Sequence, residues 1–313
     1  MGPPGGREAH GLMEPLVIFC CSFARDVLRA RRMAESVARH NRDGLALYVS
    51  APREDVALFR DKLGALACVI DRDEIVAAHP RMDKARLYAL PGIKHQQVIK
   101  SDFWRLGLAE NTLVLDSDCK FIRDFARADF LAGGNVPYTV MHDGREVLDF
   151  TARHGPKRVR REFLECREPI MREMGREGAV HDYGYAPYVW SRHVWRDLDE
   201  KHLAPRGETL AEAIDRAPSE FTWYGEALLR FQSIPIHARG EYFRFYHYER
   251  QYWHDRRRGV TEESLAKDWF GVVYQSNWED GTGYGPPTKS LPSRVARHMK
   301  RAVRRLMITA RAP

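Results

Sequence analysis

Leu16 to Phe23, Leu-Val-Ile-Phe-Cys-Cys-Ser-Phe, is a run of the type found in strands buried on both faces. The segments after it constrain the fold further. Asp26 to Asn41 has Val27, Ala30, Ala34, Val37 and Ala38 on one helical face, with Arg and Glu opposite. Asn41-Arg42-Asp43-Gly44 is a stop and a turn. Leu45–Ser50 reads as a second strand, Glu54–Leu63 as a short helix and Ala67–Asp71 as a third strand. This β-α-β-α-β order predicts an α/β fold with a mostly parallel sheet and right-handed crossovers. No G-x-G-x-x-G follows the first strand, so the dinucleotide fingerprint is absent.

Asp73 to Pro91 is polar and is read as irregular. A helix is predicted from Lys94 to Leu108, with Ile99, Phe103 and Leu106 in its apolar stripe and Gln96, Gln97 and Lys100 among its polar positions. It feeds Thr112-Leu113-Val114-Leu115-Asp116-Ser117-Asp118, a buried-type strand ending in two acids. On an extended chain, residues i and i+2 face the same way, so Asp116 and Asp118 are predicted to aim at one point. Paired carboxylates at the carboxyl end of a parallel strand suit a hard divalent cation, Mg²⁺ or Mn²⁺. The competing reading is a polar turn closing the strand.

Further strands are predicted at Pro137–Met141, Tyr185–Ser191, Ser233–His237, Tyr242–Tyr248 and Gly271–Gln275. Helices are predicted in His154–Gly178 (interrupted at Pro169), Arg192–Leu203, Glu220–Phe231 behind a Ser219 cap, and Glu262–Trp269. Residues 15–288 are expected to form one catalytic domain, with a nucleotide half at about 15–135 and an acceptor half at about 136–288. Residues 1–14 are Gly/Pro-rich, without the apolar stretch of a secretory signal, and are expected to be disordered.

The formal charge is +7, yet eight Lys or Arg and no acid fall between Lys289 and Pro313, leaving residues 1–288 at −1. A nearly neutral body argues against nucleic-acid binding. Leu291, Val295, Met299, Ala302, Val303 and Leu306 recur at helical spacing among the basic residues, as in an interfacial amphipathic helix. That pattern fits an anionic membrane surface; a solvated basic tail is the alternative. Five cysteines without metal-ligand spacing suggest reduced thiols and a cytoplasmic protein, peripheral at the inner membrane face if the tail binds there.

Gly92-Ile93-Lys94-His95-Gln96-Gln97-Val98-Ile99-Lys100 and then Leu113-Val114-Leu115-Asp116-Ser117-Asp118-Cys119-Lys120-Phe121 resemble two motifs of a group of bacterial GT-A-fold glycosyltransferases. Ile93 stands where those proteins usually have an aromatic. Ser219-Glu220-Phe221-Thr222-Trp223-Tyr224-Gly225 is similar to a third motif, and the resemblance spans about residues 16–275. It implies a GT-A-like, Rossmann-like sheet with flanking helices and a mixed C-terminal acceptor region. It also implies a metal-dependent transfer of sugar from a nucleotide-sugar donor, a UDP-sugar by preference, to a glycan or lipid-linked acceptor.

The resemblance assigns the metal to Asp116 and Asp118, with Asp118 the more direct ligand, and implies a late ligand from the C-terminal half, for which His247 is the candidate; the alternative is a strand histidine packed among aromatics. It puts Ser22, Arg25, Gln97 and Lys100, with Asp116, near the nucleotide. An inverting transferase needs a carboxylate base, for which Glu220 is the candidate and Glu226 the second. Glu220 at a helix N-terminus is, however, expected to be stabilised as the anion, which weakens a base; the alternatives are that it positions an acceptor hydroxyl or caps the helix. Most of the many aromatics of the C-terminal half are read as core; among them Trp223 and Tyr224 are candidate acceptor contacts, with His181 and Tyr183 of the Gly-broken segment His181–Tyr185. The alternatives are a sugar-1-phosphate nucleotidyltransferase and a non-catalytic nucleotide- or sugar-binding protein on the same scaffold. The first usually has a Gly-rich basic loop after the first strand, which Cys21–Arg25 is not.

Overall fold

A computed structural model describes residues 13–144, 148–149, 159–276, 278 and 299. The basic stretch from Lys289 therefore lies, but for Met299, outside the described residues, as do residues 1–12. The strands are β1 (Glu14–Cys21), β2 (Leu47–Ala51), β3 (Cys68–Asp71), β4 (Ala109–Leu115), β5 (Cys119–Phe121), β6 (Leu131–Ala132), β7 (Val136–Val140), β8 (Tyr188–Ser191), β9 (His237–Arg239), β10 (Phe243–Tyr246) and β11 (Gly271–Tyr274).

The central sheet has the order β3-β2-β1-β4-β8. β1 pairs in parallel with β2 and with β4, β2 in parallel with β3, and only β8 runs antiparallel, against β4. The predicted α/β class and mostly parallel sheet are both present. The chain lays strands outward from β1 to β3, then returns to place β4 on the other side of β1. That reversal makes the carboxyl ends of β1 and β4 the sheet's topological switch point, the position where open α/β sheets bind ligands. Leu16–Cys21 and Leu113–Leu115 are buried because helices cover both faces. Phe103, just past the Gly92–Asp102 helix, stacks on Phe19 of β1 with ring centroids 3.9 Å apart.

A second sheet, β10-β11-β5, joins the acid segment to the C-terminal half. β5 begins directly after Asp118 and pairs antiparallel with β11, Cys119 opposite Val273. A third sheet has the order β6-β7-β9. No described helix is long and apolar enough to cross a membrane.

Three local expectations are corrected. The polar stretch after Asp71 is not irregular but holds helices Arg72–Ala77 and Lys84–Ala89. Asp71 accepts from the Asp73 amide while Glu74 reaches back to the Asp71 amide, and Asp83 accepts from Ala85 and Arg86. Those bonds satisfy the orphan N–H groups of the first turns. β1 starts at Glu14, within the segment expected to be disordered. Ser219 precedes the Glu220–Phe231 helix as predicted, but its hydroxyl bonds Thr222 Oγ1 at 2.6 Å and caps no amide.

Candidate active site

Asp116 is the first residue past β4, and the extended geometry expected for Asp116–Asp118 is not what brings the acids together. The strand ends at Leu115, and the Cys119 amide bonds the Asp116 carbonyl at 3.0 Å, closing a tight turn. The turn drives Asp118 inward, where it is buried, while a third of the Asp116 side chain remains exposed. Burial, and next the Asp116 carboxylate, push the Asp118 carboxyl up to about 7; the Ser276 amide and Arg29 oppose this. The end of β11 and the residues just past it hold Asp118 in place. Its Oδ2 accepts from Ser276 N–H at 2.8 Å and its carbonyl from Tyr274 N–H at 3.3 Å. Sequence reasoning missed Ser276, which acts through its backbone and carries no side-chain signal.

Lys100 reaches this turn from the Gly92–Asp102 helix. Its ammonium lies 2.8 Å from Glu220 Oε1 and 3.3 Å from Asp116 Oδ1, with only 7 % of its side chain exposed. Burial works against the charge, but Asp116 and Glu220 outweigh it and hold the Lys100 pKa raised. Lys100 is thus a fixed cation bridging the first acid to the Glu220–Phe231 helix. Glu220 is equally buried, so the carboxylate expected to serve as base is engaged by Lys100. Tyr188 of β8 lies under Lys100, which is 6.0 Å from its ring centroid, and stacks on Phe221.

Of the other expected nucleotide residues, Ser22 sits directly past β1, buried, with its hydroxyl unpartnered and its amide bonded to the Ser50 carbonyl. Gln97 has a buried, unpartnered Oε1, and neighbouring Gln96 donates to the Cys21 carbonyl at 3.4 Å. Arg25 points out into solvent over Phe23 and lies 3.8 Å from Asp26. Ser22, Gln97, Lys100 and Asp116 therefore share the carboxyl edge of β1 and β4, with Arg25 at its outer rim.

The acceptor expectations fare differently. Trp223 is fully buried and donates to the Ala217 carbonyl; Tyr224 is buried and its hydroxyl accepts from the Ser191 amide. Neither has surface to offer a ligand. Tyr183 is buried too, its hydroxyl on Glu226 Oε1 at 2.8 Å. Glu226 is gripped by Arg176 through two bonds of 2.7 Å, which removes it as a second base candidate. A Cβ on Gly225 would lie 2.1 Å from the Tyr183 ring, so the third motif's glycine serves this packing. His181 rests edge-on against Tyr183, on the same cluster, and burial, then Arg176, lower its pKa. The i, i+4 pairs Trp223/Ala227 and Tyr224/Leu228 were the available sign that these rings face the core.

His247 takes the second of its two expected places, packed among aromatics. It is wedged between Tyr185 and Phe245, each with centroids 4.2 Å away, and burial, then Arg244 and Arg167, push it down to about 3. Among the described residues no group of three or more His, Cys, Asp or Glu side chains is gathered for a metal, so His247 does not complete a set with Asp116 and Asp118. The two acids alone still fit a hard cation. They are oxygen donors close enough to raise one carboxyl, at an edge that reaches solvent. Mg²⁺ and Mn²⁺ sites of this kind commonly use one or two carboxylates, with water and phosphate filling the rest.

The model of a family of unknown function, DUF6492, matches residues 14–277, from the first residue of β1 to just past the Ser276 contact with Asp118. The chain belongs to the DUF6492 family. The match thus takes in every described strand of this DUF6492 protein and both acids of the turn. No curated protein matches the sequence. Among solved structures, the DUF6492 chain is similar to mouse xyloside xylosyltransferase 1 in its apo form. The identity is 9 % and the TM-score 0.42, over 85 % of this chain and 99 % of that one.

Proposed function

We propose that this chain is a metal-dependent glycosyltransferase that moves a sugar from a nucleotide-sugar donor, UDP-linked by preference, to a glycan or lipid-linked acceptor. The observation that carries this reading is the Asp116–Asp118 turn at the carboxyl ends of β1 and β4, with Lys100 buried against it. The three motifs that resemble GT-A enzymes support it, because residues of two of them, Lys100 and Glu220, meet at 2.8 Å and a third, Asp116, meets Lys100.

Glycosyl transfer breaks the bond between the anomeric carbon and a diphosphate oxygen through an oxocarbenium-like state. Negative charge then concentrates on the departing diphosphate. Asp116 and Asp118 would hold the Mn²⁺ or Mg²⁺, which supplies Lewis-acid neutralisation of that charge when bound. Lys100 offers a second cation at the same edge. Its position is set by Asp116 and Glu220, so it requires no reorientation as charge develops. Glu220 acts in this account as the residue that positions Lys100. Ser22 Oγ and Gln97 Oε1 lie at the same edge, buried and without partners.

Purified protein incubated with a panel of UDP-, GDP-, ADP- and CMP-linked sugars and Mn²⁺ should release the free nucleotide from at least one donor, and EDTA should stop the release. No release from any donor, with mixed oligosaccharide acceptors present or absent, would sink the assignment.

A further inference from the structure

Among the described residues, the buried lysines and arginines are Arg29, Arg72, Lys100 and Arg167. Arg29 is paired with Asp26, Lys100 with Asp116 and Glu220, and Arg167 with Asp182. Arg72 has no acid among the described residues. Its Nη1 bonds His95 Nε2 at 3.1 Å, and its Nε is buried with no partner. His95 does not supply the missing charge. Burial, then Arg72 itself, lower its pKa, so the ring is neutral and accepts from the guanidinium. A buried cation without a counter-charge is costly, and a fold retains one where something else provides the anion.

The position of Arg72 says where that anion comes from. Arg72 follows Asp71, the last residue of β3, and β3 runs parallel to β2 with Ala51 opposite Asp71. It therefore stands on the carboxyl edge of the same sheet as Asp116. The charges of Arg72, Lys100 and Asp116 all act on the Cys21 thiol at the end of β1, after burial and Ser50. Arg72 and the Asp116 turn thus both follow the carboxyl ends of strands of this sheet, β3 and β4. The residue keeps 9 % of its surface, so it lies close beneath that edge.

We propose that Arg72, backed by His95, anchors an anion site at this edge and takes a phosphoryl group. The guanidinium fork matches phosphoryl oxygens in a two-point contact that a carbonyl or hydroxyl does not repay in charge. The phosphoryl group has two possible sources: the phosphates of the nucleotide donor, or a free phosphate. The first source rests on the transferase reading and the second does not; because the site needs no divalent ion, it is tested with metal removed, apart from the Asp116–Asp118 site.

The experiment is thermal unfolding in EDTA of wild type, Arg72→Met and Arg72→Lys, each with millimolar sodium phosphate, UDP or uridine. Arg72→Met removes an unpaired buried charge, so the ligand-free variant should melt no lower than wild type. In wild type the bound anion should raise the melting temperature by about 3 °C. Arg72→Met should lose that rise, and Arg72→Lys, which keeps the charge without the fork, should retain part of it. A rise with phosphate assigns the free anion. A rise with UDP alone assigns the donor's phosphates. The proposal is overturned if uridine acts as strongly as UDP, if Arg72→Met shifts as much as wild type, or if no ligand shifts wild type.

Discussion

Lys100→Met should lower stability by about 3–5 kcal/mol, because it leaves a buried carboxylate without its cation. The loss falls mainly on Glu220, whose side chain is 5 % exposed, since water reaches the more open Asp116. For a chain of this size that corresponds to a fall in melting temperature of about 5–8 °C. The double variant Lys100→Met/Glu220→Gln should recover most of it, because no unpaired buried charge remains. Denaturant melts of the four proteins in the cycle read the coupling directly. A single Lys100→Met that melts with wild type, or a double variant as unstable as the single, would show that the 2.8 Å contact holds nothing together.

Asp118→Asn should stabilise the metal-free protein at high pH. The folded-state carboxyl is raised to about 7 by burial and Asp116, against about 3.9 for an unperturbed aspartate. The folded protein therefore binds this proton more tightly than the unfolded chain does. Stability is unaffected below about pH 4, falls as pH rises from there to about 7, and stays reduced above it. The size of the displacement caps the effect at about 4 kcal/mol. Asn keeps the acceptor that receives Ser276 N–H but carries no charge. In EDTA, the variant should melt several degrees above wild type at pH 8 and close to it near pH 4. Adding Mn²⁺ at pH 8 should raise wild type and leave the variant unmoved. A constant difference across the pH range would show that Asp118 is not strained by its own charge.

Much of the sheet was legible because its strands are buried on both faces and so read as apolar runs. Leu16–Cys21 and Leu113–Leu115 are examples, and the helix between β1 and β2 announces itself by period. The acids were found for a reason that did not hold. Strand alternation predicted a shared direction, whereas a turn closed by Cys119 N–H produces the proximity. The short helices after Asp71 were missed because polar caps, not an apolar stripe, start them. For the aromatics of the third motif the sequence leaves the choice between core and acceptor open, because a tryptophan looks the same whether it faces a ligand or the core. Trp223 and Tyr224 face the core, their polar atoms bonded to Ala217 and Ser191. Arg72 was invisible for a related reason. One arginine in a charged stretch reads as solvated, and only the fold shows that it is buried without an acid.

The central claim is that Asp116 and Asp118 bind a nucleotide through a divalent ion. Isothermal titration of UDP into wild type and Asp118→Asn, each in Mn²⁺ and in EDTA, tests it most directly. Wild type should bind at least about 100-fold more tightly with Mn²⁺, a difference of roughly 3 kcal/mol, and Asp118→Asn should show no such gain. Equal affinity of wild type with and without the ion, or a variant that keeps the full Mn²⁺ gain, would contradict it.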